Sequence, residues 1–311
     1  MVDTLTSRRR WGEAIIQNLL LLCAVLIVLV IFGVFVFVGY NGLQLFVLDH
    51  TNANTFFTST NWNLDSTGGK VSYGALGYIL GSVVTTILAI LIVAPLAVGM
   101  AIYMTEMCPK WLENILRPLL EIFTGMPSVV VGFLGLVVLV PWIGRLAAPI
   151  APVAATAGYG WATASIVLVI MVLPTVVSIS IDALRAVPDS VREASLALGS
   201  THWQMMKNAV LPAAKTGLAT AILLGTGRAI GETFAVTMVL KAQNALPANL
   251  LTPSAFFQPN INVPLGIVSY FSEAPTPAAR SACIMLGFVL LVISFLFMCV
   301  SRFLASRSVY R

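Results

Sequence analysis

Charge is scarce in this chain of 311 residues: Asp, Glu, Lys and Arg together make up 9%, against about 25% in ordinary globular domains. A water-soluble fold needs a polar surface. A composition that is 59% hydrophobic, with a mean hydropathy of +0.95, cannot supply one. Histidine is rarer still. Only His50 and His202 occur, both outside the apolar runs, so neither a His/Cys metal cluster nor an intramembrane nucleophile–base pair is expected. The four cysteines (Cys23, Cys108, Cys283, Cys299) form no close pair and read as small apolar packing residues. A G-x-x-x-x-G-K-[ST] phosphate loop is missing too. Gly68-Gly69-Lys70 lacks the first glycine, which excludes ATP hydrolysis by that route.

What the sequence has in quantity is apolar runs of about 20 residues, long enough to cross a bilayer. Six are expected, at 15–38, 76–104, 119–140, 161–184, 216–240 and 282–304. The first is too long, and lacks the small-residue cleavage pattern, to be a removable signal peptide, so it reads as a retained anchor. Basic residues sort unevenly between the loops. One side holds Arg8, Arg9, Arg10, Lys110, Arg117, Arg185, Arg192, Lys207, Lys215, Arg302, Arg307 and Arg311; the other holds Lys70, Arg145, Lys241 and Arg280. That asymmetry predicts both termini in the cytoplasm. The net charge of +5 is thus a topology signal, and a nucleic-acid partner is not expected. The expected class is an all-α membrane protein, one transmembrane domain over 1–311 with six spans.

The loop at 185–212 is the most patterned. Pro188 suits a first helical turn, and Ser190-x-x-Glu193 has capping-box spacing. Gly199 stands where a helix would end in a left-handed cap, and Thr201-x-x-Gln204 offers a second capping box. Two short helices joined at Gly199–Ser200 are predicted, the second stopping near Pro212. Val191, Leu196, Leu198, Trp203, Met205 and Met206 are too many apolar groups for water. Either the loop lies on the bilayer or it docks into a partner.

This loop carries a resemblance. Glu193-Ala194-Ser195, then Gly199, then Leu211-Pro212, resembles the EAA motif of ABC importer permeases, with Ser195 in place of the second alanine and Ala209 in place of the isoleucine. Further along, Gly227-Arg228-Ala229-Ile230-Gly231-Glu232-Thr233 with Ala235-Val236-Thr237 looks like the PstC-type permeases of the phosphate-specific transport (Pst) system. So does Leu120-Glu121 followed by Gly125-Met126-Pro127-Ser128-Val129-Val130 and Gly132. The likeness extends over all six spans and the order of loops, though the outer loops do not match residue by residue. It implies a type I permease fold of the bacterial inner membrane whose EAA coupling helix sits in a groove of a separate ATPase. Arg192, Glu193, Ala194 and Gly199 then become the expected docking residues. It further implies a second, PstA-like permease, two copies of a PstB-like ATPase that bind ATP and Mg, and an extracytoplasmic phosphate-binding protein. The chain itself would be non-catalytic, hold no cofactor and contact membrane lipid.

Arg228 and Glu232 are the costly residues. Arg228 lies midway between Lys215 and Lys241, which flank the fifth span. A lone charge at the bilayer centre costs about 2.5–3.5 kcal/mol. Glu232 follows at i+4, so the two can face each other across one helical turn. They read as a self-satisfied ion pair, as a proton relay, or as an anion-recognition site. A guanidinium keeps its charge, which argues against the relay, and its planar fork fits two phosphate oxygens. The resemblance implicates this helix in phosphate passage, so Arg228 and Glu232 are the expected path residues. Gly227 and Gly231 have small-xxx-small spacing for close helix approach. Pro127 and Ser128 mark a possible break or hinge in the third span. Arg117 with Glu121, and Asp182 with Arg185, read as interfacial pairs; Gly77 and Gly81 read as helix packing. The pattern of 263–274 allows one more helix at the outer mouth. The rival functions are a permease for another oxyanion or phosphonate, and a self-powered channel or secondary transporter.

Overall fold

The computed structural model describes residues 2–48, 50–64, 71–149, 158–241 and 252–309; within the terminal helices, side chains are described from 16 to 47 and up to 303. Lys70, Arg311 and the Gly68-Gly69-Lys70 run lie outside the described residues, as do the side chains of Arg8, Arg9, Arg10 and Arg307.

The chain is a bundle of helices with one small hairpin. In order it forms α1 (Val2–Leu48), α2 (Ala53–Thr58), the strands β1 (Trp62–Asn63) and β2 (Ser72–Tyr73), then α3 (Leu76–Ile102), α4 (Lys110–Gly125), α5 (Ser128–Leu134) and α6 (Val140–Ala147). There follow α7 (Trp161–Arg185), α8 (Asp189–Ala197), α9 (His202–Met205), α10 (Leu211–Gly231), α11 (Phe234–Val239), α12 (Val263–Tyr270) and α13 (Pro277–Val309). Of the segment at 263–274, where the pattern allows a helix, Val263–Tyr270 is helical, as α12. Among the described residues six helical stretches are long and apolar enough to cross a membrane: Ile16–Val47, Leu76–Met107, Ser128–Ala147, Trp161–Arg185, His202–Gly231 and Pro277–Phe303.

The first span runs on to Val47 rather than 38, the fifth ends at Gly231 rather than 240, and the last starts at Pro277 rather than 282. The starts of the third and fifth differ as well, and proline is the reason in both. The third span begins at Ser128, not at 119. Pro127 disfavours helix at the residue before it, and Met126 is extended, with ψ 135°. What precedes it, α4, is a separate amphipathic helix. The fifth span begins earlier than 216, because the second coupling helix does not stop at Pro212. It runs through a π turn, Met206–Val210, straight into α10. Two further π turns, Tyr103–Met107 and Gly135–Leu139, extend α3 and join α5 to α6. Each of the three ends two residues before a proline: Pro109, Pro141 and Pro212. A proline ring collides with the carbonyl four residues back. The wider turn carries the preceding amide to the carbonyl five back instead: Cys108 to Tyr103, Val140 to Gly135, Leu211 to Met206.

The helix α7 is central, 61% buried along its span, and packs on α3, α4 and α10. Small residues set the spacing. A Cβ on Gly225 would meet Val176 Cγ2 at 2.3 Å, and one on Gly81 would meet the Ile261 carbonyl oxygen at 1.7 Å. The predicted packing role of Gly81 is therefore a backbone approach; Gly77 is buried as well. Two apolar clusters stack along the bundle. One, at the hairpin end, gathers Phe56, Trp62, Tyr78, Trp161 and Ile261. The other, toward the α8–α9 loop, gathers Val93, Ala97, Val176, Leu184, Met205 and Met206. At the hairpin end the Trp161 indole N–H donates to the Ile261 carbonyl at 3.2 Å, and the Ser82 hydroxyl accepts the Val263 amide at 3.0 Å, which ties α12 to α3 and α7.

Candidate functional site

Arg228 sits near the end of α10, where the two apolar clusters meet: Ala229 belongs to one and Ala235 to the other. Its Nη1 donates to Thr175 Oγ1 on α7 at 2.8 Å, and its Nη2 to the Thr124 carbonyl at the end of α4 at 3.4 Å. Along α7, at 1.5 Å per residue, Thr175 is about 20 Å from Trp161 and about 15 Å from Arg185. The expected mid-span depth of Arg228 agrees with this. The side chain is half-buried.

The expected pairing with Glu232 does not form. The helix ends at Gly231; Glu232 has left helical geometry, at φ −71° and ψ 123°, and α11 restarts after Thr233. Once the turn is broken, the i+4 relation no longer brings the two side chains onto one face. Glu232 Oε1 instead accepts the Ala235 amide at 3.3 Å, capping α11. Among the described residues no ion pair joins Arg228 to any carboxylate. The guanidinium is held by neutral oxygens only.

Two interrupted helices meet here. One break is Met126–Pro127 between α4 and α5; the other is Glu232–Thr233 between α10 and α11. They are locked side by side because α5 packs on α11, with a Cβ on Gly132 only 2.7 Å from Ala235 Cα. Pro127 and Ser128 therefore lie at a break, at the depth of Arg228, whose Nη2 contacts the carbonyl three residues before Pro127. The last carbonyls of α4 carry partial negative charge, which favours a cation placed against them. Both broken helices end on a glycine, Gly125 and Gly231, whose Cβ would meet nothing within 4 Å, so bare backbone borders open space on this side. Of the small-residue pair, Gly227 faces Met298 of α13 and Gly231 faces that open space.

The coupling loop corrects three expectations. Gly199 does take the left-handed conformation, at φ +83°, and Thr201 and Gln204 do form a capping box. Ser190 and Glu193 do not: α8 begins at Asp189, with Pro188 as its cap, so both lie inside the helix. Glu193 and Ala194 are exposed. Arg192 points inward. Its guanidinium donates to the Leu184 and Val187 carbonyls at 2.8 and 2.6 Å and pairs with Glu106 at 3.2 Å and Asp189 at 3.3 Å. Of the six apolar side chains expected on the surface, Leu198, Trp203 and Leu196 are exposed, Val191 is half-buried, and Met205 and Met206 are core.

The interfacial pairs differ as well. Arg185 pairs with Glu113 of α4, and Asp182 faces solvent or lipid. Arg117 and Glu121 are both exposed, and among the described residues no ion pair joins them.

Sequence reasoning missed Thr175, Glu106 and Glu113. Each glutamate has a basic residue four positions on, Lys110 and Arg117, yet each pairs with an arginine of another element, Arg192 or Arg185, a choice the spacing does not announce. Thr175 carries no signal in the sequence; only the geometry finds it.

The model of the family described as "Binding-protein-dependent transport system inner membrane component" matches residues 96–310. The chain is 39% identical over 285 residues to the "Probable ABC transporter permease protein YqgH" of Bacillus subtilis, covering 92% of this chain and 88% of that protein. It is 36% identical over 266 residues to the "Phosphate transport system permease protein PstC" of Xylella fastidiosa (strain Temecula1 / ATCC 700964), covering 81% and 79%. To the PstC of Pasteurella multocida it is 35% identical over 272 residues, covering 82% and 81%. Among solved structures, a chain of the bacterial alginate ABC transporter in complex with its alginate pentasaccharide-bound periplasmic protein superposes with a TM-score of 0.64 at 14% identity, covering 96% and 97%. A chain of the inward-facing MetNI methionine ABC transporter gives 0.55 at 15%, covering 74% and 94%. At such identities the likeness is one of fold.

Proposed function

We propose, for a chain that belongs to the binding-protein-dependent transport system inner membrane components and is a relative of the PstC permeases, that it forms one half of the translocation path of an ATP-driven inorganic phosphate importer. The carrying observation is the unneutralised guanidinium. Arg228 is half-buried at mid-span, held by a hydroxyl and a carbonyl, and unpaired with any carboxylate among the described residues. An uncompensated charge in a membrane interior is expensive, and an anionic cargo is what repays it. The reading of a self-satisfied pair needs a contact to Glu232 that is not there.

In this reading phosphate passes the two helix breaks. The Arg228 fork meets two of its oxygens, the natural geometry for guanidinium and phosphate. Glu232, whose Oε2 has no partner among the described residues, accepts a hydrogen bond from a protonated phosphate oxygen. Fully ionised sulfate lacks that proton. Pro127 and Ser128 let the third span flex. A second, PstA-like permease supplies the facing wall, and an extracytoplasmic phosphate-binding protein delivers the cargo. Two copies of a PstB-like ATPase bind ATP and Mg and engage the α8–α9 loop. Both termini lie in the cytoplasm, by the basic-residue asymmetry. This chain holds no cofactor of its own.

The test is phosphate uptake in cells lacking other phosphate importers, with the partner subunits supplied. Arg228→Leu is expected to abolish uptake while the ATPase still co-purifies. Arg228→Lys keeps the charge but loses the fork, and retains a minor fraction. Normal uptake by Arg228→Leu sinks the path assignment. If the intact complex moves another oxyanion and no phosphate, the substrate assignment fails instead.

A further inference from the structure

Five threonines inside the longer helices donate their hydroxyl proton one turn back, while Thr163 donates to Gly158 and, among the described residues, Thr86 and Thr216 make no such bond. Thr85 donates to Gly81 at 2.8 Å, Thr105 to Ala101 at 2.9 Å, Thr124 to Leu120 at 2.8 Å, Thr220 to Thr216 at 2.8 Å and Thr226 to Ile222 at 2.8 Å. Thr175 does not follow them. Among the described residues its Oγ1 has a single partner, Arg228 Nη1, and toward that partner it is the acceptor. A hydroxyl carries one donor and two acceptor positions. The accepting side of Thr175 is engaged and its proton is unspent. It is also half-buried, beside a cation that lacks a counter-charge.

A hydroxyl with its proton free next to a guanidinium offers an oxyanion a neutral donor beside a charged one. The Arg228 bond fixes the Thr175 hydroxyl oxygen and so directs its proton away from the guanidinium. Close packing sets the approach: Gly225 lets α10 settle on Val172 and Val176, which bracket the Pro174–Thr175 pair, and this brings Arg228 within reach. Thr124 Oγ1 cannot serve in the same way, since its proton is committed to Leu120.

We infer that Thr175 is a second phosphate-contacting residue: its hydroxyl donates a hydrogen bond to an oxygen of the anion that Arg228 holds. The inference rests on the path reading of Arg228. Thr175 belongs to α7 and Arg228 to α10, so the anion bridges two helices, and its passage is sensitive to how they sit on each other.

The experiment uses the whole complex in proteoliposomes: this chain, its partner permease, the ATPase and the binding protein. Uptake of inorganic phosphate and ATP hydrolysis are measured for Thr175→Val, Thr175→Ser, Thr175→Ala and Arg228→Leu. Valine keeps the shape and removes the hydroxyl; uptake is expected to fall roughly tenfold or more, as for a lost hydrogen bond to a charged group, with ATPase co-purification unchanged. Serine restores uptake to within about twofold of the intact protein, since it keeps both roles of the hydroxyl. If Arg228→Leu is inactive and Thr175→Val transports normally, the inference about Thr175 falls and the path reading stands. Transport by Arg228→Leu brings down the path reading itself. A serine variant as poor as valine also overturns the inference, because the hydroxyl is then not the operative group. Should valine disturb assembly, alanine replaces it in the same comparison.

Discussion

At the scale of single residues, the sites that matter are those where a side chain or its absence has no substitute. Gly199 is one. Its φ of +83° is left-handed, and a Cβ there would meet nothing within 4 Å. Gly199→Ala therefore adds conformational strain and no clash, of about 1–2 kcal/mol. The expected result is a lower unfolding midpoint for the purified chain, with Gly199→Asn falling between, since asparagine visits that region more readily; an unchanged midpoint for alanine would mean the loop relaxes. This residue was legible in the sequence because a helix-ending glycine has a single stereochemical reason to be there. Arg228 was legible for the opposite reason: its cost in an apolar segment drew attention. Its partners were not. The i+4 spacing to Glu232 presupposed a continuous helix, and nothing in Gly231-Glu232-Thr233 announces that the helix stops.

At the scale of elements, charge staples hold helix ends together. Arg192 ties α8 to the Leu184 carbonyl of α7, to the Val187 carbonyl just beyond it and, through Glu106, to the π turn that ends α3; Arg185 ties α7 to α4 through Glu113. The far end of α4 and the middle of α7 are what grip Arg228. The loop is thus joined to Arg228 through α4 and α7 as well as directly through α10, which runs on from α9. Arg192→Ala leaves Glu106, only 18% exposed, without this partner, and loosens α8 while Leu198 and Trp203 stay exposed. The expected outcome is ATP hydrolysis that continues with phosphate uptake reduced several-fold, read as phosphate moved per ATP. An unchanged ratio would assign Arg192 to stability alone. The sequence suggested a docking role for Arg192 because its neighbours carry the EAA resemblance, but periodicity does not tell which face of a short helix turns toward the bundle. The boundaries of the third and fifth spans were misplaced for a related reason. Hydropathy is blind to Pro127 as a stop and to the π turn that lets Pro212 be passed.

On the scale of the whole molecule, two features stand apart: an apolar knob at one end and a polar break at mid-span. Leu198, 88% exposed, and Trp203, 65% exposed, are large apolar groups left uncovered at the loop end. Buried aromatic anchors dominate many protein interfaces, so Trp203→Ala together with Leu198→Ala is expected to release the ATPase on co-purification while the chain still folds and inserts. Retention of the ATPase would place the contact elsewhere on the loop. The class and the six crossings were readable from scarcity of charge and from long apolar runs, since length and hydropathy are properties a bilayer selects directly. The packing that joins them was not, because Gly225 against Val176, or Thr175 against Arg228, pairs residues with no sequence signature. One feature of that junction fixes how the two ends correspond. In an uninterrupted α-helix Trp203 and Arg228 would point within about 20° of each other; a π turn takes in one extra residue and swings everything beyond it by about 100°. The Met206–Val210 turn therefore sets the azimuth between knob and path. The stretch that joins them is keyed by residue number, so a one-residue insertion or deletion there turns the site to a different wall of the bundle.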